Sequence, residues 1–453
     1  MNLGYKIIRW IFNVILNIFY RDIIIEGSIP ENCPVIIAGD HRNAAIDGAI
    51  LTAKVNRQVR FMAKATLFKG FTGWLFKIAG AIPVRRKQDQ VDGAKVDNTA
   101  PISEAIKTLQ RGECFGIFPE GKSHSEAKFQ ELKPGIALIS IGATTKTLED
   151  NLHPVPEVLI IPTGLNYING EQFRSKCVIH FGTPIKVISD NTVDDVMARV
   201  EAGLQKVTLN APDKKTSSLA KTALHLYLPK DERKIGTDEY VKIKRNFLRA
   251  YTISSEDNAI SEIKEDITKY HDELERIGIN DYIVKNQSAK LPNKIIQVFR
   301  YIIGFIMFLP FFVINWPACL MTKIGLVKLI KRGEKVGKIH DMIATYKIGI
   351  ALISYLVLHI TYFVIGLIVG FPILQLLAIY IYTFPFAYIG IKGYEILRKS
   401  KYLFLKHTNT PSKQKMKELK EQRNLLVTKI QSMVELMCEL HGDEIDRIVK
   451  KTN

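Results

Sequence analysis

The sequence predicts an α/β domain, a helical subdomain and a membrane-embedded helical region, in that order. Over residues 22–188, short apolar runs alternate with polar helical patterns, which is typical of a sheet covered by helices. Over residues 189–297 the chain is charged and helical in pattern, without strand signals. Residues 298–396 then hold most of the apolar residues. Residues 397–453 are expected to form a cytosolic amphipathic helical tail.

The α/β prediction depends on six apolar runs of strand length and on the helical patterns between them. The runs lie at residues 23–25, 35–38, 59–62, 114–118, 158–162 and 178–181. Apolar residues at helical spacing over 102–110 and 135–144 predict helices that cover the sheet.

Residues 1–21 form a separate apolar segment with one polar stripe. The stripe recurs at helical spacing and consists of Lys6, Arg9, Asn13 and Asn17. Because the stripe is narrow and basic, we predict an interfacial helix that lies in the membrane plane. A buried core helix is the alternative.

The composition indicates an anionic partner. The chain has 453 residues, with 63 Lys and Arg against 45 Asp and Glu, which gives a formal net charge of +18. Such a surplus suits nucleic acid, a membrane surface or a phosphorylated substrate. Nucleic acid is disfavoured because the basic residues are spread along helices and membrane flanks, without a recognition motif. The five cysteines are far apart and are expected to be reduced thiols.

Three apolar stretches between residues 298 and 391 each approach the ~20 residues needed to cross a bilayer. The last two are predicted to form a helical hairpin over residues 346–391. Lys and Arg are concentrated on both flanks of this hairpin, so both flanks are expected in the cytosol. The first stretch, residues 298–321, is expected to be re-entrant, since Pro310 and Pro317 break a straight helix and a full crossing would separate the α/β domain from the cytosol. A third full span is the alternative.

The segment from Gly39 to Asp47 carries a candidate catalytic pair, His41 and Asp47. The segment follows an apolar strand and precedes an apolar helical run, which places it at a strand end, where sites on α/β folds collect. A histidine whose ring is held by a carboxylate can accept a proton from an alcohol, an effect typically worth ~10²–10⁴ in rate. By itself, one such pair is more often structural.

Three further blocks lie at the ends of predicted elements. The first closes an apolar segment with three adjacent cations, which suit phosphate oxygens: Arg85, Arg86 and Lys87. The second follows the strand at 114–118 in a turn whose backbone N–H groups can hold an oxyanion or a phosphate, and it contains Glu120, Gly121 and Lys122. The third is Pro162, at the end of another strand. Taken singly, such blocks also occur in ordinary loops.

Together and in this order, the four blocks resemble the four motifs of the glycerol-phosphate acyltransferase family, which includes the lysophosphatidate acyltransferases. The first motif of that family usually has the pattern N-H-x4-D, whereas here Asp40 replaces the Asn and the spacing from His41 to Asp47 is one residue longer. The longer spacing, the Lys-Ser-His extension after Gly121 and the segment at 173–175 resemble the fungal branch that acylates glycerol 3-phosphate or dihydroxyacetone phosphate.

The resemblance implies an α/β acyltransferase domain with a mixed sheet and a role for each motif. His41 would be the general base and Asp47 would orient it, without a covalent acyl-enzyme. Arg86 would bind the acceptor phosphate, with help from Arg85 and Lys87. Acceptor binding would also fall to Glu120 and Gly121, and Pro162 would shape the fourth motif. Arg42 and Lys122 are candidates from their charge alone.

The implied function is a membrane-bound O-acyltransferase that moves a fatty acyl group from an acyl thioester to glycerol 3-phosphate or dihydroxyacetone phosphate. The alternatives are a 1-acylglycerol-3-phosphate acyltransferase and a non-catalytic lipid-binding relative. The donor is acyl-CoA or acyl-ACP as co-substrate, and no cofactor is expected. No metal site is expected either, because the ten histidines are scattered without ligand spacing. The catalytic domain would face the cytosol, at a bacterial inner membrane or the endoplasmic reticulum.

Overall fold

The computed structural model describes residues 1–69, 73–85, 98–148, 152–228, 236–253, 258–279, 281–286, 291–334, 340–404 and 411–441. The chain forms two compact units. The first contains Met1–Lys214, Gly236–Arg245 and Val336–Thr345, and the second contains Lys215–Ile235, Asn246–Lys335 and Tyr346–Asn453. The predicted catalytic residues lie in the first unit.

A mixed sheet forms the centre of the first unit, as predicted. Within the described residues its strands are β1 (Tyr20–Glu26), β2 (Val35–Gly39), β3 (Val59–Lys64), β4 (Ile82–Val84), β5 (Cys114–Ile117), β6 (Val158–Ile168), β7 (Ser175–Phe181) and β8 (Ile185–Val187). The strand order is β1-β7-β6-β2-β5-β3-β4, and β8 pairs with β6. The β6–β7 and β6–β8 pairs are antiparallel and the others are parallel.

Each of the six predicted runs lies in or overlaps a strand, and the differences concern length. β4 and β8 were not predicted, because three residues are too few for a recognisable pattern. β6 continues to Ile168, six residues beyond the predicted run, because polar and glycine residues interrupt its apolar pattern. This extension carries a residue of the candidate site.

The helices of the first unit are α1 (Leu3–Phe19), α2 (Ala45–Lys54), α3 (Gly73–Ile78), α4 (Thr99–Gln110), α5 (Gly135–Thr145) and α6 (Val193–Val207). The predicted helices thus correspond to α4 and α5. α6 corrects the predicted start of the helical subdomain at residue 189. Its buried Val196, Val200 and Leu204 pack into the same core cluster as Ile36 and Phe115 of the sheet, so α6 belongs to the first unit.

Helix α1 has two apolar faces separated by the polar stripe. One face is buried and consists of Tyr5, Ile8, Leu16 and Phe19. The polar stripe is directed at the end of α2: Arg9 donates to the Ala53 carbonyl, and Lys54 donates to Asn13 and Asn17. The second apolar face is exposed and includes Leu3, Ile7, Trp10, Val14 and Ile18. The alternative prediction, a buried core helix, therefore describes one side of α1 only.

The remaining described helices are α7 (Lys214–Tyr227), α8 (Thr237–Ile253), α9 (Asn258–Ile277), α10 (Asp281–Asn286), α11 (Leu291–Glu334), α12 (Ile343–Ile368), α13 (Ile373–Phe404) and α14 (Lys413–His441). Side chains of α7, α9, α10 and α14 share one apolar core. The predicted tail and helical subdomain are therefore not separate, because the apolar stripe of α14 is buried against α9 and α10. Buried Arg423 of α14 also pairs with Asp281 of α10 at 2.8 Å.

Helices α11, α12 and α13 are each long and apolar enough to cross a membrane. α12 and α13 correspond to the predicted hairpin, which turns at Gly370 with a φ of 96°. α11 differs in its bounds from the predicted stretch 298–321. It is helical over 44 residues, with Pro310 and Pro317 inside it, because charged residues continue the helical pattern beyond the apolar core.

The three apolar helices pack against one another in opposite directions. In each pair, the residue numbers of the contacts increase along one helix and decrease along the other. The contacts are Ile314 with Tyr362 and Cys319 with Tyr355 between α11 and α12, Tyr380 with His359 and Leu376 with Gly366 between α12 and α13, and Phe308 with Tyr394 and Phe311 with Gly390 between α11 and α13. Three straight helices aligned on one axis cannot all be mutually antiparallel, so at least one bends or crosses the others steeply. Prolines lie inside α11 and α13, where such bends arise.

Candidate active site

The predicted catalytic pair forms at the carboxyl end of β2, a strand flanked by β5 and β6. His41 lies in the loop after β2 and Asp47 in the first turn of α2. The two side chains meet with 2.9 Å between His41 Nδ1 and Asp47 Oδ2. Between them the chain turns at Ala44, whose φ of 45° is rare for an L-residue. This turn accommodates the six-residue spacing between His41 and Asp47.

The contact fixes which nitrogen of His41 is basic. Asp47 is fully buried, and its Oδ2 also accepts a hydrogen bond of 2.8 Å from the backbone N–H of Asn43. An ionised carboxylate only accepts hydrogen bonds, so Nδ1 of His41 carries the proton and donates it to Asp47. Nε2 is then the unprotonated nitrogen and can accept a proton from a substrate hydroxyl.

Tyr167 of β6 completes the environment of Asp47. Its hydroxyl donates to Asp47 Oδ1 over 2.5 Å. Burial and then the Asp47 charge raise the pKa of Tyr167 well above its usual value, so the phenol remains a donor. The sequence prediction missed Tyr167 because it ended this strand at residue 162. The signal lay in the polar residue Asn166 and the aromatic Tyr167, which extend a strand that is otherwise apolar.

Two stacked phenylalanines hold the other side of the His41 ring. The Phe118 ring stacks on the His41 ring with centroids 4.2 Å apart and planes 10° apart. Phe61 stacks on Phe118 in turn, at 5.8 Å. A Cβ atom at Gly116 would lie 2.2 Å from the Phe61 ring, so glycine is required there for the stack to form. The His41 ring is therefore fixed by a carboxylate at one edge and an aromatic face.

Asp40 and Arg42, on either side of the base, have mainly structural contacts. Asp40 is 2% exposed, and its Oδ1 accepts a hydrogen bond of 2.7 Å from Leu165 N, which ties the loop to β6. Burial raises the pKa of Asp40 to about 7, against the opposing effect of Arg42. Arg42 donates to the carbonyls of Glu126 and Ala127. Its charge is thus directed at the loop after Gly121.

The three residues predicted to bind the acceptor are separated by the fold. Gly121, with a φ of 69°, and Lys122 are exposed. Glu120 is only 1% exposed, and its carboxylate is directed into the protein. Pro162 is also buried; it lies opposite Ala38 of β2 and packs against Gly203 of α6.

The predicted phosphate-binding cations follow β4, which pairs in parallel with β3. Arg85 is exposed at the carboxyl end of β4. Arg86 and Lys87 lie outside the described residues. Because parallel strands have their carboxyl ends at one edge of a sheet, Arg85 follows the same edge as His41.

Two family models match separate parts of the chain. The model described as acyltransferase matches residues 22–165, which contain the His41–Asp47 pair. The model described as glycerol-3-phosphate acyltransferase 2 C-terminal domain matches residues 219–438.

Three relatives extend the similarity over more of the chain. Glycerol-3-phosphate O-acyltransferase 1 of Saccharomyces cerevisiae is 25% identical over 97% of this chain and 72% of the relative. Glycerol-3-phosphate O-acyltransferase 2 of the same yeast is 28% identical over 75% of this chain and 50% of the relative. An uncharacterized acyltransferase of Schizosaccharomyces pombe is 22% identical over 99% of this chain and 84% of the relative.

The His41–Asp47 pair lies inside the matched domain, and these similarities define the chain as an acyltransferase, as its motifs predicted. Its two matched domains and its two yeast relatives are similar to glycerol-3-phosphate acyltransferases, and this similarity agrees with the predicted resemblance to the fungal-type branch.

The Tyr167 hydroxyl is expected to tune the base through Asp47. Tyr167→Phe removes one hydrogen bond from the carboxylate, so more of its charge acts on His41 and favours the imidazolium form. We expect kcat near neutral pH to fall about two- to tenfold, the range for one lost hydrogen bond. The acidic limb of the kcat/KM profile should move to higher pH, while both KM values stay nearly constant. Steady-state kinetics of acyl transfer across pH measure this.

Tyr5→Phe is the matched control. Tyr5 is fully buried, and its hydroxyl bonds to the backbone of Arg57 and Val59, away from the site. Its pH profile should equal that of the wild type. An unshifted acidic limb in Tyr167→Phe would show that Tyr167 has no influence on the base.

Proposed function

We propose that the chain transfers a fatty acyl group from an acyl thioester to a hydroxyl of glycerol 3-phosphate, or of dihydroxyacetone phosphate as the second acceptor, in phospholipid biosynthesis. The observation that carries this proposal is the contact of His41 with the buried Asp47, which leaves Nε2 as a base at the sheet edge that Arg85 also follows. The names of the two yeast relatives support glycerol 3-phosphate as the acceptor. The donor is a thioester of coenzyme A or acyl carrier protein, and the reaction needs no cofactor or metal.

In the proposed reaction His41 Nε2 takes the proton of the acceptor hydroxyl as its oxygen attacks the thioester carbonyl. Asp47 stabilises the imidazolium that forms. The new C–O bond forms, the C–S bond breaks, and the proton passes from His41 to the leaving thiolate. The attack is direct. Burial raises the pKa of Cys114 to about 12 and that of Cys177 well above its usual value, so neither of these thiols ionises to become a nucleophile.

The acceptor phosphate is proposed to bind at the edge of the site through cations. Arg86 is the principal ligand, with Arg85 and Lys87 beside it in the chain. Lys122 can approach from the neighbouring loop, whereas the N–H group of Gly121 is already donated to the carbonyl of Phe118. Guanidinium groups bind phosphate oxygens through paired hydrogen bonds, which favours the arginines over lysine for this role. Pro162 contributes by fixing β6 against β2.

The catalytic unit is proposed to lie on the cytosolic face of the membrane. The basic residues that flank α12 and α13 favour the cytosol for both ends of this hairpin. Asp341 lies between α11 and α12 and belongs to the first unit, where it accepts a hydrogen bond from Ser123. Together these favour one side for the catalytic residues and the loop after α11. α11 would then enter and leave on that side, and a bend at its prolines is compatible with the antiparallel packing described above.

Helix α1 is proposed to rest on the membrane surface. Its exposed face contains five large apolar residues, with Trp10 at 66% exposure. Tryptophan favours the boundary between lipid and water, and an exposed apolar stripe of this size suits an interfacial helix. The site would then open close to the lipid that supplies or receives the acyl chains.

Wild-type protein purified in detergent should acylate glycerol 3-phosphate when supplied with acyl-CoA or acyl-ACP, and His41→Ala should lower kcat by ~10²-fold or more because the base is lost. Labelled glycerol 3-phosphate measures the product. His153→Ala, which changes an exposed histidine of the same unit, is the control and should retain activity. A wild-type protein that acylates lysophosphatidate but not glycerol 3-phosphate would overturn the proposed acceptor, and an active His41→Ala would overturn the mechanism.

Arg86→Ala should raise the KM for glycerol 3-phosphate by roughly tenfold or more, if one charge-assisted pair of ~1.5–3 kcal/mol is lost, and should change the KM for the donor far less. Arg86→Lys should recover only part of the affinity, because the ammonium lacks the paired geometry. Arg111→Ala, at an arginine paired with Glu104 on the surface, should leave both KM values unchanged. Equal increases in both KM values would indicate that Arg86 is structural.

Single cysteines at Ser103, Gly333 and Ser412, in a protein without its five native thiols, should all react with an impermeant maleimide from the cytosolic side. A cysteine at Phe371, in the turn between α12 and α13, should react only from the opposite side. Labelling is measured in vesicles of known orientation. Intact vesicles show which cysteines react from the outer side, and opened vesicles show which react when both sides are accessible. If the cysteines at positions 103 and 333 were labelled from opposite sides, α11 would be a full span and the proposed orientation would be refuted.

A further inference from the structure

A second carboxylate–imidazole pair, Glu120 with His124, lies directly behind the base. Glu120 is 1% exposed and His124 is 8% exposed. Glu120 Oε2 lies 2.5 Å from His124 Nε2 and also accepts a hydrogen bond of 2.9 Å from the backbone N–H of Gln130. Glu120 Oε1 accepts a hydrogen bond of 3.1 Å from the backbone N–H of His41. Both carboxylate oxygens are thus occupied inside the protein.

The proton positions on His124 follow from its neighbours. The backbone N–H of Glu126 donates to His124 Nδ1 at 3.1 Å, so Nδ1 is an acceptor. The ring proton is therefore on Nε2, where it is donated to Glu120. Burial opposes ionisation of Glu120, but its hydrogen bonds outweigh that effect and lower the pKa of Glu120. The pair is an ionised carboxylate held by a neutral imidazole.

The pair holds both peptide groups that flank the Cα atom of His41. Glu120 accepts from the N–H of His41, and the backbone N–H of His124 donates to the carbonyl of His41 at 3.1 Å. The side chain of His41 is fixed separately by Asp47 and Phe118. A shift of the backbone here would move Nε2 away from the substrate hydroxyl and weaken the contacts of the ring with Asp47 and Phe118.

We propose that Glu120 and His124 are positioning residues that hold the backbone of His41, and that Glu120 does not bind the acceptor. This inference rests on the proposed function, in which His41 is the base. A carboxylate with both oxygens occupied has little capacity for a further ligand, and its negative charge would repel an acceptor phosphate. Displacement of a reacting atom by about 1 Å can cost ~10²-fold in rate, so precise placement of His41 has a large effect on turnover.

Glu120→Gln replaces one acceptor oxygen with a donor, so at least one of the three hydrogen bonds is lost. We expect kcat to fall ~10-fold or more, as for a lost hydrogen bond to a charged group, with the KM for glycerol 3-phosphate changed by no more than about twofold. His124→Ala should lower kcat in the same way. His124→Gln should recover part of it, because the amide nitrogen of glutamine can still donate to Glu120.

A second measurement reads the position of His41 without any acceptor. Diethyl pyrocarbonate modifies accessible imidazoles, and mass spectrometry of the peptide that contains His41 gives the rate. A loosened backbone should free the ring from Asp47 and Phe118 and raise this rate in Glu120→Gln and in His124→Ala. Glu131→Gln, at an exposed glutamate of the same loop, is the matched control and should equal the wild type in both measurements.

A rise in the acceptor KM with unchanged kcat and unchanged His41 reactivity would overturn the proposal and return Glu120 to acceptor binding. If Glu120→Gln fails to fold, the comparison of His124→Ala with His124→Gln decides the question. Failure of the proposed function is recognised separately, because wild-type protein would then not acylate glycerol 3-phosphate. The reactivity of His41 would still confirm or refute the positioning role in that case.

Discussion

The contact between His41 Nδ1 and Asp47 Oδ2 is the interaction on which the rest of the site depends. It leaves Nε2 as the free nitrogen of the ring, and it uses a carboxylate that is fully buried. A buried charge is costly unless hydrogen bonds compensate for it. Asn43 and Tyr167 supply those bonds, one from the loop and one from β6. Because β6 lies next to β2, Tyr167 can reach Asp47. The position of β2 in the sheet therefore serves the proposed chemistry as well as the fold.

Three buried carboxylates surround one short loop, and each has its own set of donors. Asp40 ties the loop to β6, Asp47 holds the ring of His41, and Glu120 holds its backbone. Their environments differ: burial dominates at Asp40 and raises its pKa to about 7, whereas hydrogen bonds dominate at Glu120 and lower its pKa. These carboxylates lie inside the protein, whereas the cations Arg85 and Lys122 are exposed.

Much of the architecture could be predicted from local patterns, and the errors have physical causes. Six strands and two covering helices followed from apolar periodicity, which reports burial directly. α6 was assigned to the wrong domain because its surface is charged, although one narrow stripe of Val196, Val200 and Leu204 packs on the sheet. α14 was predicted as an amphipathic tail whose partner was left open, and its stripe packs on the other helices of the second unit. A stripe predicts that a helix is buried on one side, but it does not identify the partner.

The sequence by itself determined the class of protein, and it predicted the pair that is proposed as base and carboxylate. His41 and Asp47 are close in the chain, and a strand end followed by a helix brings them together by local geometry. Only the tertiary structure decided what holds them, because the partners are remote: Tyr167 is 120 residues from Asp47, and Glu120 is 79 residues from His41. The register of β2 against β5 and β6 determines which of these remote residues come into contact. Register depends on the packing of the whole sheet, which no local pattern of residues encodes.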